Sequence, residues 1–283
     1  MRDLQSDPDL SPIAGPIPKA RGRAIVVTSG KGGVGKTTTT ANLGAALAAT
    51  GARVALVDAD IGLRNLDLVL GLESRVRFHL LDVLEGKATL DDAFVADKRV
   101  PSLMLLAAAQ TREKDEVDTA AMRGLVEGLR DRFDFVLIDS PAGIETGFRN
   151  AIVGADEAIV VCTPEVSAVR DADRVVGLLG NAVSTSLIVN RLRPALVRRG
   201  KMLSVDDVNA ILHLPLLGVI VDAPEVISTT NRGEPVVLDA GSATGEAFRA
   251  IARRLREGDD SPVAIPEPPS FMSRLSALFG GRA

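Results

Sequence analysis

The chain has 283 residues, 46% of them hydrophobic, and a formal net charge of −4, enough apolar material for one large core. A single cysteine, Cys162, excludes an intramolecular disulfide and a C-x-x-C cluster site. No apolar run reaches the about 18 residues of a membrane-spanning helix, the N-terminus lacks a secretion-signal pattern, and the acidic balance gives no global attraction to nucleic acid.

Residues 1–21 carry Pro8, Pro12, Pro16 and Pro18 with little periodicity and read as a disordered leader. Ala24–Ser29 is a short apolar run, read as a buried strand. Thr37–Thr50 is read as a helix with Leu43, Ala46 and Leu47 on one stripe. Between them lies Gly30-Lys31-Gly32-Gly33-Val34-Gly35-Lys36-Thr37, followed by Thr38, which fits G-x-x-x-x-G-K-[ST]. Strand, glycine loop and helix start in that order make a phosphate site. The glycines let successive backbone N–H groups converge on phosphate oxygens, and the helix N-terminus adds partial positive charge. Lys36 is expected on the β- and γ-phosphates and the Thr37 hydroxyl on Mg²⁺.

Downstream, strands are expected at Arg53–Val57, Ser102–Ala107, Asp134–Ile138, Glu157–Cys162, Thr185–Val189 and Leu216–Val221. Helices are expected at 64–72, 78–85, 119–131, 145–154, 165–180, 205–212 and 243–256. Strands apolar at nearly every position are buried on both faces. The pattern predicts one doubly wound, mostly parallel α/β domain over residues 22–257, with its ligand at the carboxyl ends of the strands. Cys162 reads as core. Three further segments end strands and should reach the same edge. Asp58 and Asp60 follow the second strand. Asp139 closes Phe135–Asp139, a Walker-B form whose carboxylate would hold Mg²⁺. Asn190 and Arg191 follow a later strand, where the amide can pair with an adenine edge and the guanidinium plane can cover its face. Asp58 stays open between a turn residue and a site residue.

The string KGGVGKTT, with its extra Lys31, resembles the deviant Walker A motif of the MinD/ParA family of ATPases. The segments Asp58–Asp67, Ala109–Arg112, Asp139–Gly147, Pro164–Asp171 and Asn231-Arg232-Gly233-Glu234-Pro235 resemble its septum-placing branch. The likeness spans roughly residues 23–257 plus a short tail. It implies a P-loop NTPase fold of the SIMIBI type, ATP and Mg²⁺ as cofactors, and an ATP-driven face-to-face homodimer in which Lys31 reaches the partner's nucleotide. It makes Asp60, the second switch-I carboxylate, the water-positioning residue and Asp139 the switch-II aspartate, so that Lys31, Asp60 and Asp139 carry hydrolysis. It places partner binding near Ser167 and Asp171. Implied partners are a division inhibitor of the MinC type, a MinE-type or polar-scaffold regulator, and the membrane surface, with no nucleic acid expected. The implied location is cytoplasmic, peripheral on the inner face of the cell membrane. The alternative within the family is a ParA-type partition ATPase acting on DNA.

Residues 258–270 carry Pro262, Pro266, Pro268 and Pro269 and read as a stiff linker. Beyond it, in 271–281, Phe271, Met272, Leu275, Leu278 and Phe279 fall within about 120° of arc at ~100° per residue, with Ser273, Arg274 and Ser276 facing away. Such a helix lies in a membrane surface or docks on the protein's own core; the linker and the resemblance favour the membrane. Only Arg274 and Arg282 are basic there, so attraction to anionic lipid should be weak.

Overall fold

The computed structural model describes residues 21–110, 118–144, 146–259 and 261–265. The expected leader apart from Arg21, the pair Thr111–Arg112, and the expected membrane helix with Phe271, Met272, Leu275, Leu278 and Phe279 lie outside the described residues. In chain order the elements are β1 (Arg23–Thr28), α1 (Lys36–Ala49), β2 (Val54–Asp58), α2 (Leu66–Leu70), α3 (Leu80–Leu84), α4 (Leu90–Ala93), β3 (Val95–Ala96) and β4 (Leu103–Leu106). They continue with α5 (Thr119–Arg132), β5 (Phe135–Asp139), α6 (Thr146–Ile152), β6 (Glu157–Cys162), α7 (Val166–Leu179), β7 (Ser184–Leu192), α8 (Pro194–Val197), α9 (Val205–Leu212), β8 (Leu216–Val221), α10 (Pro224–Asn231) and α11 (Ala243–Glu257).

The strands form one eight-stranded sheet in the order β3-β4-β2-β5-β1-β6-β7-β8. All neighbours pair in parallel except β3, which runs antiparallel to β4 at one edge. β2 and β5 are buried at every position, as continuous apolar runs in a covered sheet require. Right-handed crossovers set the layers. The step from β1 to β2 runs toward the β3 edge and puts α1 on one face. The steps β4→β5→β6→β7→β8 run the other way and put α5, α6, α7 and α9 on the opposite face. α11 packs beside α1 and over β8. Its apolar stripe of Phe248, Ile251, Ala252 and Leu255 is buried, and Gly218 of β8 leaves room for Ile251, since a Cβ there would stand 2.2 Å from Ile251 Cγ1.

The winding reverses at β1. Its own connection leaves to one face, while those of its neighbours β5 and β6 leave to the other, which opens a crevice at the carboxyl ends of these strands. Among the described residues no helix is long and apolar enough to cross a membrane. The described start of the expected linker is held by α11: Arg254 donates to the Ser261 carbonyl at 2.6 Å and to Asp259 at 3.1 Å, and Val263 packs against the core.

Candidate nucleotide-binding site

The loop from Gly30 to Gly35 leaves β1 at the crevice and turns straight into α1. Gly33 and Gly35 adopt φ of +78° and +91°, conformations that L side chains rarely reach. Gly35 is also the N-cap of α1, so no side-chain oxygen covers the first-turn N–H groups; the first helical bond runs from Thr39 N to Gly35 O. These amides are therefore available to an anion. Gly30 serves a different need. A Cβ there would lie 2.1 Å from the Asp171 carbonyl carbon and 2.4 Å from Ala172 N, so the loop seats directly on the backbone of α7.

Asp139, at the end of β5 and 1% exposed, is the centre of the polar cluster. Lys36 Nζ reaches its Oδ1 at 2.8 Å, the Thr37 hydroxyl donates to Oδ2 at 2.7 Å, and the Thr40 hydroxyl donates to Oδ1 at 3.0 Å. Thr40 was not legible as a site residue, although it lies on the same helix face as Thr37. The Thr37 and Asp139 oxygens are hard donors of the kind Mg²⁺ prefers, and one cation could touch both, so these residues fit the metal. The loop amides and Lys36 fit the polyphosphate.

Asp58 resolves into an anchor. Its Oδ1 accepts from Asp60 N at 3.0 Å and its Oδ2 from Leu66 N at 3.2 Å, which ties both ends of the segment between β2 and α2. Burial, then the charge of Asp139, push its carboxyl up to about 8, against the pull of the two amides and of Lys36. Asp60 is 7% exposed and lines the cleft.

The second loop lysine points away from this centre. Lys31 is exposed, and its Nζ donates to Ser167 Oγ at 3.1 Å in the first turn of α7. Ser167 and the Asp171 backbone thus meet the loop from the same chain. Cys162 is buried at the end of β6, and burial, with Glu165 nearby, pushes its thiol up to about 12, as a core residue rather than a nucleophile.

The cleft holds about 640 Å³ between the loop, Asp60 and Arg191 on one side and α2 with Thr230–Gly233 on the other. A second cavity of about 270 Å³ adjoins it, bounded by Gly35, Asn190, Arg191, Pro224, Ile227 and Phe248. Together they are of the size of small-ligand sites. The adenine reading of Asn190 needs refinement. β7 runs past the expected end to Leu192, with a register break between Val189 and Leu192 and Arg191 at φ +56°. This turns the Asn190 amide onto the loop: Nδ2 donates to Val34 O at 2.7 Å, and Oδ1 accepts from Arg191 N at 2.9 Å. One amide hydrogen and one lone pair are left for a base. Of this wall, Asn231, Arg232 and Gly233 belong to the segment Asn231–Pro235 that the sequence singles out without a role.

A doubly wound sheet, a phosphate loop at its winding reversal and a lysine–threonine–aspartate cluster define a P-loop nucleotide hydrolase. The family model described as the CobQ/CobB/MinD/ParA nucleotide binding domain matches residues 25–236, and the chain belongs to this family. The septum site-determining protein MinD of Synechocystis is 58% identical over 243 residues, 85% of this chain and 91% of the relative. The MinC:MinD cell division protein complex of Aquifex aeolicus contains a chain of 47% identity that superposes with a TM-score of 0.79 over 87% of this chain and 99% of that one. The septum site-determining protein MinD of Pyrococcus horikoshii, complexed with Mg-ADP, is 34% identical with a TM-score of 0.76, over 83% of this chain and 96% of that one. The chain is an ATPase of the MinD/ParA class that uses ATP and Mg²⁺.

Proposed function

We propose that this ATPase places the division site by cycling between a soluble form and an ATP-bound homodimer on the inner membrane surface. The observation that carries the reading is the division of labour between the loop lysines: Lys36 turned inward on Asp139, Lys31 turned outward on Ser167 at the rim. An ammonium on the rim can leave its own chain for a facing subunit. Bound Mg-ATP supplies the γ-phosphoryl group and the cation that offsets its charge. Toward it, the loop amides and Lys36 hold the phosphates, Thr37 and Asp139 hold the metal, and Asp60 orients the attacking water. Lys31 from the facing subunit stabilises charge developing on the transferred oxygens. Arg191 covers the base, and the remaining amide hydrogen of Asn190 faces it. Hydrolysis is then conditional on dimerisation.

The relation to the Aquifex aeolicus MinC:MinD complex supports a MinC-type division inhibitor as partner. Docking near Ser167 and Asp171, and a MinE-type protein or polar scaffold as regulator, rest on the family resemblance of the sequence alone. Membrane residence rests on the tail. Burying Phe271, Met272, Leu275, Leu278 and Phe279 contributes roughly 1.5–3 kcal/mol each, while ordering ~10 residues costs on the order of 1–2 kcal/mol apiece. One tail is marginal; two in a dimer gain ~10²–10⁴ in avidity. Vesicle sedimentation tests this. The full chain with a non-hydrolysable ATP analogue should pellet, and with ADP it should stay in solution. Deleting 271–283 should abolish pelleting while dimerisation persists. Equal pelleting with ADP and the analogue would sink the switch, and analogue-dependent pelleting without the tail would sink the anchor.

A further inference from the structure

Asn231–Pro235 stands out in the sequence, yet none of the chemistry above uses it. Its position explains it. The turn after α10 packs against the end of α2 at Gly71 and Gly233, which adopt φ of +64° and +67°. A Cβ on Gly233 would stand 2.4 Å from Gly71 Cα, and one on Gly71 would stand 2.9 Å from the Gly233 carbonyl oxygen. Backbone meets backbone there, at the point where the two far walls of the cleft join.

A single guanidinium spans that junction. Arg99 donates from Nη2 to the Leu70 carbonyl at 2.8 Å and from Nη1 to the Gly233 carbonyl at 2.8 Å. Asp97 aims it: the carboxylate is 2% exposed and accepts from Arg99 Nη2 at 2.8 Å and Nε at 3.3 Å, and from the backbone N–H groups of Arg99 and Val100 at 2.7 and 3.1 Å. Planar, forked and already oriented, the group holds both carbonyls at little entropic cost. Each wall continues to chemistry. α2 starts at Leu66, whose amide is bound by Asp58, and Asp58 also binds the amide of Asp60. α10 carries Pro224, Val226 and Ile227 of the smaller cavity at its other end.

We propose that Arg99, aimed by Asp97, is a positioning residue that locks α2 to the Gly233 turn and so fixes the Asp60 segment relative to a bound base. It touches no reacting atom and acts on hydrolysis through Leu70, Leu66 and Asp58. The proposal rests on the ATPase site, not on membrane residence, so vesicle results leave it unaffected.

The test is single-turnover hydrolysis by the full chain, normalised to the stoichiometry of bound ATP. Arg99→Gln should lower the rate per bound ATP by about 10- to 100-fold, as small misplacements of catalytic groups do. ATP affinity should stay within about threefold, because the loop contacts are untouched. Gly233 lines the cleft itself, so for Gly233→Ala the readout is the rate per bound ATP alone, which should fall as the new Cβ wedges the junction apart with Arg99 in place. Arg99→Lys keeps a cation for Asp97 but cannot fork to both carbonyls. It should remain slow, and it carries the test if the other variants do not fold. A purely structural role would reduce the number of binding sites and leave the rate per site unchanged. That result, or a loss of affinity matching the loss of rate, would overturn the proposal.

Discussion

Gly30→Ala isolates the seat of the phosphate loop on α7. The new Cβ would lie 2.1, 2.3 and 2.4 Å from the Asp171 carbonyl carbon, its oxygen and Ala172 N. All three are helix backbone, so no side chain can rotate away, and the loop or α7 must move. Overpacking typically costs about 1–3 kcal/mol, and a clash with rigid backbone puts this site at the upper end, about 3 kcal/mol. For a domain of this size that is about 6–12 °C in Tm. Because the displaced segment carries the loop amides, ATP affinity should fall as well. Two neighbours calibrate the series. At Gly32 a Cβ meets nothing within 4 Å, so Gly32→Ala should melt close to the parent. At Gly33 the space is equally open but φ is +78°, so Gly33→Ala should cost about 1–2 kcal/mol from backbone strain alone. Calorimetric melting and ATP titration of the three variants check this ranking. A Gly30→Ala protein with the parent's Tm and affinity would refute the close seat.

Lys31→Ala should keep ATP binding but lose the ATP-dependent dimer and turnover, whereas Asp60→Ala should keep ATP and the dimer yet hydrolyse slowly; light scattering and phosphate release separate the two, and normal turnover in Lys31→Ala would remove the crossing lysine. The raised carboxyl of Asp58 gives a pH dependence: between the ordinary carboxylate range and about 8 the folded chain holds a proton that the unfolded chain releases, so this contribution is full in acid and lost as pH rises toward 8. Melting across pH 5–8 without nucleotide should show a fall that Asp58→Asn flattens; an unchanged slope in the variant would place the shift elsewhere. Chelating Mg²⁺ should weaken ATP binding in the parent and weaken it less in Asp139→Asn, by calorimetric titration; equal sensitivity would mean that Asp139 does not answer to the metal.

The sheet was readable because its strands are apolar at consecutive positions, and α1, α5, α7, α9 and α11 lie within a few residues of the expected helices. The elements not anticipated are short or lack the pattern. β3 is two residues on a sheet edge, and α4 and α8 are single turns. α10 carries Val226, Ile227, Thr229 and Thr230, β-branched residues that disfavour a helix, and forms because Pro224 starts it and the cleft walls hold it. The helices expected at 64–72 and 78–85 are shorter, α2 stopping at Gly71 and α3 before Gly86, both with left-handed backbone. In the site, Lys36 and Thr37 are candidates from the loop spacing, and Asp139 from its place after four apolar or aromatic residues in a chain that carries that loop. Thr40, Asp58 and Arg99 belong to no such motif; their contacts with Asp139, with Leu66, and with Leu70 and Gly233 arise only in the fold.

The Lys36–Asp139 pair ties these observations together. A buried ion pair gives little net stability, because desolvating both charges offsets their attraction. Removing one partner from such a pair is costly, since the other charge is left uncompensated. A γ-phosphate that draws Lys36 toward itself imposes that cost on Asp139 unless a cation arrives with the phosphate. On the proposed site Mg-ATP would bring both, exchanging carboxylate for phosphate at the lysine and lysine for metal at the aspartate. Through the exchange each buried charge would keep a counter-charge, which favours the paired ligand over either half alone. Asp58 pairs with Asp139 on the neighbouring strand, and burial together with that charge raises its carboxyl. Asp58 in turn accepts from the amides of Asp60 and Leu66, and the helix that starts at Leu66 ends at Leu70, whose carbonyl accepts from Arg99. The buried carboxylate pair Asp58 and Asp139 thus lies between Lys36 and Thr37 on one side and the amides of Asp60 and Leu66 on the other.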